Sequence, residues 1–141
     1  MRRKVLYIVR GLSGSGKSTI AEEIVNELWD DESKTFVKDF YSADDYFTDP
    51  QGNYNFDPSK LSDAHAECLS NVELAMQKNC IRKIAVANTF SQSWEAQPYF
   101  KLAKKYDYSP FVLECQNDFG NIHEVPQETI NAMKNRWENL A

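Results

Sequence analysis

The stretch "RGLSGSGKST", residues 10–19, decides how the rest of the chain is read. It follows "VLYIV", residues 5–9, a continuous apolar run of the kind that forms a strand buried on both faces. Residues 17–28 come next, with Ile20, Ile24, Val25 and Leu28 recurring at helical spacing. A strand that enters glycines and leaves as a helix is the context that gives G-x-x-x-x-G-K-[S/T] its meaning, and Gly11 to Ser18 satisfies that pattern in full. Glycines at 11, 14 and 16 allow backbone angles and a close approach that a β-carbon would block. The N–H groups so freed, together with the helix N-terminus, make a cradle for anionic phosphate. Lys17 is expected to reach the outer phosphates of ATP from a solvated cleft, and the Ser18 hydroxyl to ligate Mg²⁺. The expected nucleotide-binding set is Gly11, Ser13, Gly14, Ser15, Gly16, Lys17, Ser18 and Thr19.

The bulk of the chain suits one folded unit. Its 141 residues, 42% hydrophobic and 13% aromatic, carry enough apolar material for a single core, so residues 1–141 are read as one domain. No apolar run approaches a membrane span and the N-terminal residues lack a signal-peptide pattern, so no membrane association is expected. Cys68, Cys80 and Cys115 are scattered, with no CxxC pair, which reads as reduced thiols and a cytoplasmic setting. The net charge of −5 argues against wrapping long duplex DNA, where phosphate neutralisation dominates affinity. A nucleic-acid partner would have to be met through a local pocket.

Further strands are expected at residues 35–41, 81–89 and 110–115. Helices are expected at 94–106, at 128–140, and from the Asp57-Pro58 start to about residue 78, with Leu61, His65, Cys68, Leu69, Val72 and Met76 inward. Alternation of strand and helix predicts an α/β fold, a P-loop NTPase-type three-layer sandwich with a mostly parallel sheet covered on both faces. Ligands in such sheets bind beyond the carboxyl ends of the strands, where the cradle, Asp44 and Asn88 would all lie.

"SADDYF", residues 42–47, follows the second strand. Asp44 there could accept the proton of an attacking hydroxyl and help hold the metal, whereas a plain turn capped by either Asp44 or Asp45 is the bland alternative. An extended backbone would point these two aspartates to opposite sides. The third strand, "IAVANTF", ends in Asn88 and Thr89 with no carboxylate, unlike ordinary P-loop ATPases, and no NKxD motif is present. Residues 42–58 form a loop bearing Tyr46, Phe47, Tyr54 and Phe56, where recognition of an acceptor would fall. Trp94, Tyr99 and Phe100 read as helix packing, His65 as a core or cleft-wall residue.

Taken in order, "RGLSGSGKST", "SADDYF", "VANTFSQSWEAQPYFKLAKKYDY" and "HEVPQETINAMKNRWE" resemble the polynucleotide-kinase-like P-loop proteins, over nearly the whole chain. That group includes 5′-hydroxyl kinases and the N-terminal domain of cyclic-nucleotide phosphodiesterases. The resemblance implies transfer of the γ-phosphate of ATP to a hydroxyl of a nucleic acid or nucleotide. The acceptor would be a 5′-hydroxyl, or the hydroxymethyl group of a modified base as in related phage DNA kinases. It implies catalytic roles for Asp44 and Lys17, metal contacts from Ser18 and Asp44, and acceptor contacts from Asp45, Tyr46, Asn88 and Thr89. Ala87 and Phe90 stand where the family often has Asp and Asn. The family's lid usually carries an arginine, and residues 116–126 contain none. Arg10, Arg136 or a residue from a partner are the expected substitutes, and intrinsic turnover is expected to be low. Two other functions remain open: a nucleotide-binding or regulatory module with degraded transfer, and a small-metabolite kinase.

Overall fold

In the computed structural model, Val5–Gly11 forms β1, with Leu6 and Ile8 turned to one face of the sheet and Tyr7 and Val9 to the other. The structure describes residues 4–12, 15–26, 29–30, 35–36, 39–78, 81–115 and 127–138. The remaining elements are α1 (Lys17–Asn26), β2 (Trp29–Asp30), β3 (Thr35–Phe36), β4 (Phe40–Tyr41), α2 (Leu61–Gln77), β5 (Lys83–Asn88), α3 (Ser93–Tyr106), β6 (Ser109–Cys115) and α4 (Gln127–Asn135). A four-stranded sheet runs in the order β4-β5-β1-β6, and every pairing within it is parallel.

The two faces carry two cores. Leu6, Ile8, Ile84 and Val86 meet Cys68, Val72 and Met76 of α2 and Tyr99 and Leu102 of α3. On the other face Val9, Ala85 and Ala87 meet Ala21 and Val25 of α1. Ala85 and Ala87 are small and fully buried, which lets α1 approach the sheet closely. That approach brings the N-terminus of α1 over the end of β1. The α/β class and the parallel sheet covered on both faces are as the sequence leads one to expect.

Local expectations needed correction at four places. Among the described residues of the strand expected over 35–41, β3 pairs antiparallel with β2, and only Phe40–Tyr41 joins the main sheet. Ile20 faces outward, 41% exposed, because Ala21 and Val25 carry the buried stripe of α1. Leu61 and His65 are exposed, whereas Cys68, Val72 and Met76 are buried as expected, joined by Ala64 and Ala75, with Leu69 half-buried against them. The last helix ends at Asn135, short of the expected residue 140. Leu28, Cys80 and residues 116–126 fall outside the described residues. Among the described residues, no helix is long and apolar enough to cross a membrane.

Candidate functional site

The cradle begins where β1 runs out. A β-carbon at Gly11 would lie 2.2 Å from Ser15 Oγ and 3.0 Å from the Cys115 carbonyl, so only glycine fits between the loop and β6. Gly16 has φ +87°, a conformation that residues with a side chain rarely adopt. The Ser15 N–H donates to the Leu12 carbonyl at 3.1 Å and closes the loop. Ser15 Oγ is buried and, among the described residues, has no hydrogen-bond partner, a costly position for a hydroxyl unless a ligand meets it. Ser18 is half-buried at the start of α1 and Thr19 is exposed; Ser13 and Gly14 fall outside the described residues.

Lys17 is 8% exposed, not projecting into a solvated cleft as expected, and its ammonium donates to the Leu12 carbonyl at 3.3 Å. Burial lowers its pKa, while the Asp44 carboxylate acts in the opposite direction and supports the charge. A charge held this far from water gains more from an arriving anion than a solvated lysine would. Gly11→Ala is expected to destabilise the fold by about 1–3 kcal/mol, because the added methyl overlaps Ser15 Oγ and crowds the Cys115 carbonyl. Calorimetric melting compared with the parent, and loss of Mg-ATP affinity, would check this.

Asp44 follows β4, which lies two strands from β1 with β5 between them. The backbone after β4 turns into a 3₁₀ helix, Ala43–Phe47, in place of the extended segment expected from the sequence. Ser42 caps it: its hydroxyl accepts from the Asp44 N–H at 3.2 Å, and Asp45 Oδ2 accepts from the Ser42 N–H at 3.2 Å. The two adjacent aspartates therefore differ in role by cap chemistry. Asp45 holds the turn, while Asp44 Oδ1 accepts from the Tyr54 hydroxyl at 3.2 Å and faces the charge of Lys17. Burial, then the nearby Asp44, pushes the Tyr54 hydroxyl pKa up, so it stays a donor.

Asn88, at the end of β5, fixes this turn to the sheet. Its Oδ1 accepts from the Ala43 N–H at 2.8 Å and the Ser42 hydroxyl at 3.5 Å, and its Nδ2 reaches Cys68 Sγ at 3.7 Å. Burial raises the Cys68 pKa, which keeps the group a neutral thiol. Asn88 is 5% exposed, so what the structure shows is anchorage of the Asp44 turn; Thr89 beside it is half-buried. Tyr46 is 38% exposed.

Arg10 differs from expectation. Its side chain is 1% exposed: Nε and Nη2 donate to the Phe90 carbonyl at 3.0 and 2.6 Å, and Nη1 pairs with Glu114 at 3.0 Å. The Trp137 ring covers the guanidinium at 3.9 Å. Burial lowers its pKa and Glu114 opposes the shift. Arg10 cannot serve as a mobile lid arginine without dismantling these contacts. Arg136 is exposed, with its Nε on Ser91 Oγ at 3.1 Å, and so keeps a surface position. Phe90, which accepts from Arg10, holds φ +47°, an uncommon strained conformation for a bulky residue beside the site. The lid and His123 fall outside the described residues. A cavity of about 300 Å³ flanks the cradle, lined by Leu12, Glu114, Cys115, Lys134 and Trp137.

A glycine cradle between strand and helix, on a parallel sheet with a carboxylate just beyond the end of β4, two strands away, defines a P-loop protein of kinase-like fold. The chain belongs to the AAA domain family (AAA_33), which it matches over residues 6–124. It is 33% identical over 143 aligned positions to human NEDD4-binding protein 2, covering 95% of this chain but 8% of that much longer protein. It is 27% identical to the uncharacterized protein PM0531 of Pasteurella multocida (strain Pm70), covering 92% of this chain and 74% of that protein. Among solved structures, the AvrRxo1-ORF1:AvrRxo1-ORF2 complex with sulphate ions superposes with TM-score 0.59 at 18% identity, over 93% of this chain and 46% of that one. A gluconokinase from Sinorhizobium meliloti 1021 superposes with TM-score 0.54 at 15% identity, over 99% and 78%. At such identities the structural likeness speaks for the fold.

Proposed function

We propose that this domain is a Mg²⁺-dependent phosphotransferase that moves the γ-phosphate of ATP to a hydroxyl on a nucleic acid or nucleotide, in the manner of the polynucleotide-kinase-like proteins it resembles. The observation that carries the reading is the division of labour in "SADDYF": Asp45 is consumed as a cap, whereas Asp44 accepts from the Tyr54 hydroxyl and lies near enough for its charge to favour that of Lys17. The cradle suits a nucleotide's phosphates, since it has an orphaned buried hydroxyl at Ser15, a buried ammonium at Lys17 and no room for a β-carbon at Gly11. Ser18 and Asp44 supply hydroxyl and carboxylate oxygens, the hard donors that Mg²⁺ prefers when it also keeps water and phosphate ligands. Bound Mg-ATP would supply the transferable phosphoryl group. Asp44 takes the proton of the acceptor hydroxyl as that oxygen bonds to the γ-phosphorus, and the bond to the β–γ bridging oxygen breaks to release ADP. The cavity beside the cradle would take the donor's base. Reduced thiols such as Cys68 and Cys115 suit a cytoplasmic setting.

A second reading, a nucleotide-binding module with little transfer, is favoured by one observation: Arg10 is committed to the fold and not to the phosphate. Incubation with γ-labelled ATP and a panel of 5′-hydroxyl oligonucleotides, hydroxymethylated DNA, free nucleosides and small polyols tests both. Label on a nucleic-acid or nucleoside acceptor, lost in Lys17→Ala together with Mg-ATP affinity, is the expected result. Label on polyols alone would support a metabolite kinase. ATP binding with no acceptor labelled would support the module.

A further inference from the structure

Beyond the Asp44 turn lies a loop wired more firmly than a connecting segment requires. Thr48 and Tyr54 form a bridge, and the Asn55 N–H donates to the Phe47 carbonyl at 2.8 Å. Asp49 accepts from the N–H groups of Gln51 and Asn53 at 3.0 and 2.8 Å. The loop thereby presents an aromatic group: Phe47 to Phe56 at 5.1 Å, Phe47 to Tyr46 at 5.2 Å, and Tyr54 stacked on Phe56 at 6.5 Å and 11°. Phe47 is buried, yet Tyr46 and Phe56 stay 38% and 42% exposed. Their rings, with Asn55, Asp57 and Lys60, line a cavity of about 440 Å³. Tyr54 joins this cavity to the candidate base, since its hydroxyl donates to Asp44 and its ring stacks on Phe56.

The charges at the rim restrict what can enter. Asp49 and Asp57 are held below the usual carboxylate range by hydrogen bonds from Asn53 and Ser59, so both are anions near neutrality. Lys60 stands as the cation of the lining, against these two carboxylates. A strand of successive phosphodiesters would need several cations along its path. A flat, neutral ring needs only stacking walls and one or two polar groups.

We propose that this cavity binds the base of the acceptor by stacking on Tyr46 and Phe56, and that recognition ends at a single nucleoside unit whose ribose hydroxyl faces Asp44. The inference rests on the phosphotransferase reading for the role of Asp44, but base binding can be measured without transfer.

The test is calorimetric titration of the full chain with adenosine, uridine, a 5′-hydroxyl single-stranded decamer and a polyol, each with and without Mg-ATP. The nucleosides are expected to bind, the decamer to bind within about 3-fold of them with little salt dependence, and the polyol not to bind. Tyr46→Ala and Phe56→Ala should each weaken nucleoside binding roughly 5- to 100-fold, the range for loss of one stacking surface. Phe56→Tyr should keep it, and Mg-ATP affinity should hold in all three variants. Tyr46, being exposed, serves as the variant that does not endanger the fold. The proposal is overturned by nucleosides that fail to bind, by alanine variants with unchanged affinity, by a decamer far tighter with a steep salt slope, or by equal binding of the polyol. Nucleoside binding without any phosphoryl transfer would instead sink the catalytic reading and leave the cavity's assignment standing.

Discussion

Asp44→Asn is expected to reduce phosphoryl transfer roughly 10²–10⁴-fold while Mg-ATP still binds, the usual worth of a general base. Asparagine keeps the shape and can still accept from the Tyr54 hydroxyl, so the turn should survive. What disappears is the ability to take a proton, along with part of the negative charge that supports Lys17. Asp45→Asn gives the contrasting control. Its Oδ2 accepts from the Ser42 N–H, a bond an amide oxygen can still accept, so the change should weaken the cap only slightly and leave turnover near the parent's. Single-turnover rates, ATP affinity and melting temperature, measured on both variants, separate the two roles. Full activity in Asp44→Asn, or a greater catalytic loss in Asp45→Asn, would remove the assignment.

The legibility of this pair illustrates what the sequence could and could not show. The cradle was legible because its constraints are steric and local: Gly11 has no alternative, and the strand and helix that flank it are contiguous with it. Asp44 was legible as the outstanding acid, but the reason first given for its difference from Asp45 was wrong. The segment is a 3₁₀ turn, and the separation comes from the Ser42 cap, which Asp45 completes three residues on. Helix faces were misread where small residues carry the contact. Ala21 in α1, and Ala64 and Ala75 in α2, are buried because those helices pack closely, while the larger Ile20 and Leu61 point outward. The expected Val25, Cys68, Val72 and Met76 are buried, so the misplacement is confined to the ends of the stripes, where alanines do the packing. Asn88 could be placed at the site from its position at a strand end, but its grip on the Ala43 N–H depends on a contact 45 residues away in sequence.

The residue least legible was Arg10, and it carries the other large expected effect. An arginine beside a phosphate cradle invites assignment to the phosphate. Its actual partners, Phe90, Glu114 and Trp137, are remote in sequence and converge only in the fold. The same region binds the end of the described chain, for the Glu138 N–H donates to the Ser91 carbonyl at 2.7 Å and Arg136 donates to Ser91 Oγ. Arg10 thus joins the ends of β1, β5 and β6 to the residues that follow α4. Arg10→Ala would leave the Phe90 carbonyl without its donors, in a backbone conformation that is already uncommon. It would also uncover the Trp137 ring and remove one positive partner from Glu114. Losing a buried guanidinium together with its bonds to a carbonyl and to the partly solvated Glu114 is expected to cost about 2–4 kcal/mol, a fall in Tm on the order of 5–15 °C for a domain of this size. Trp137 fluorescence should report loss of the ordered ring in the same transition. Glu114→Gln should be milder, because Glu114 is partly solvated and an amide oxygen can still accept from Arg10. The outcome that would reverse the assignment is an Arg10→Ala protein with unchanged Tm and lost transfer. That pattern would mean the guanidinium leaves its buried seat to act on the phosphate after all.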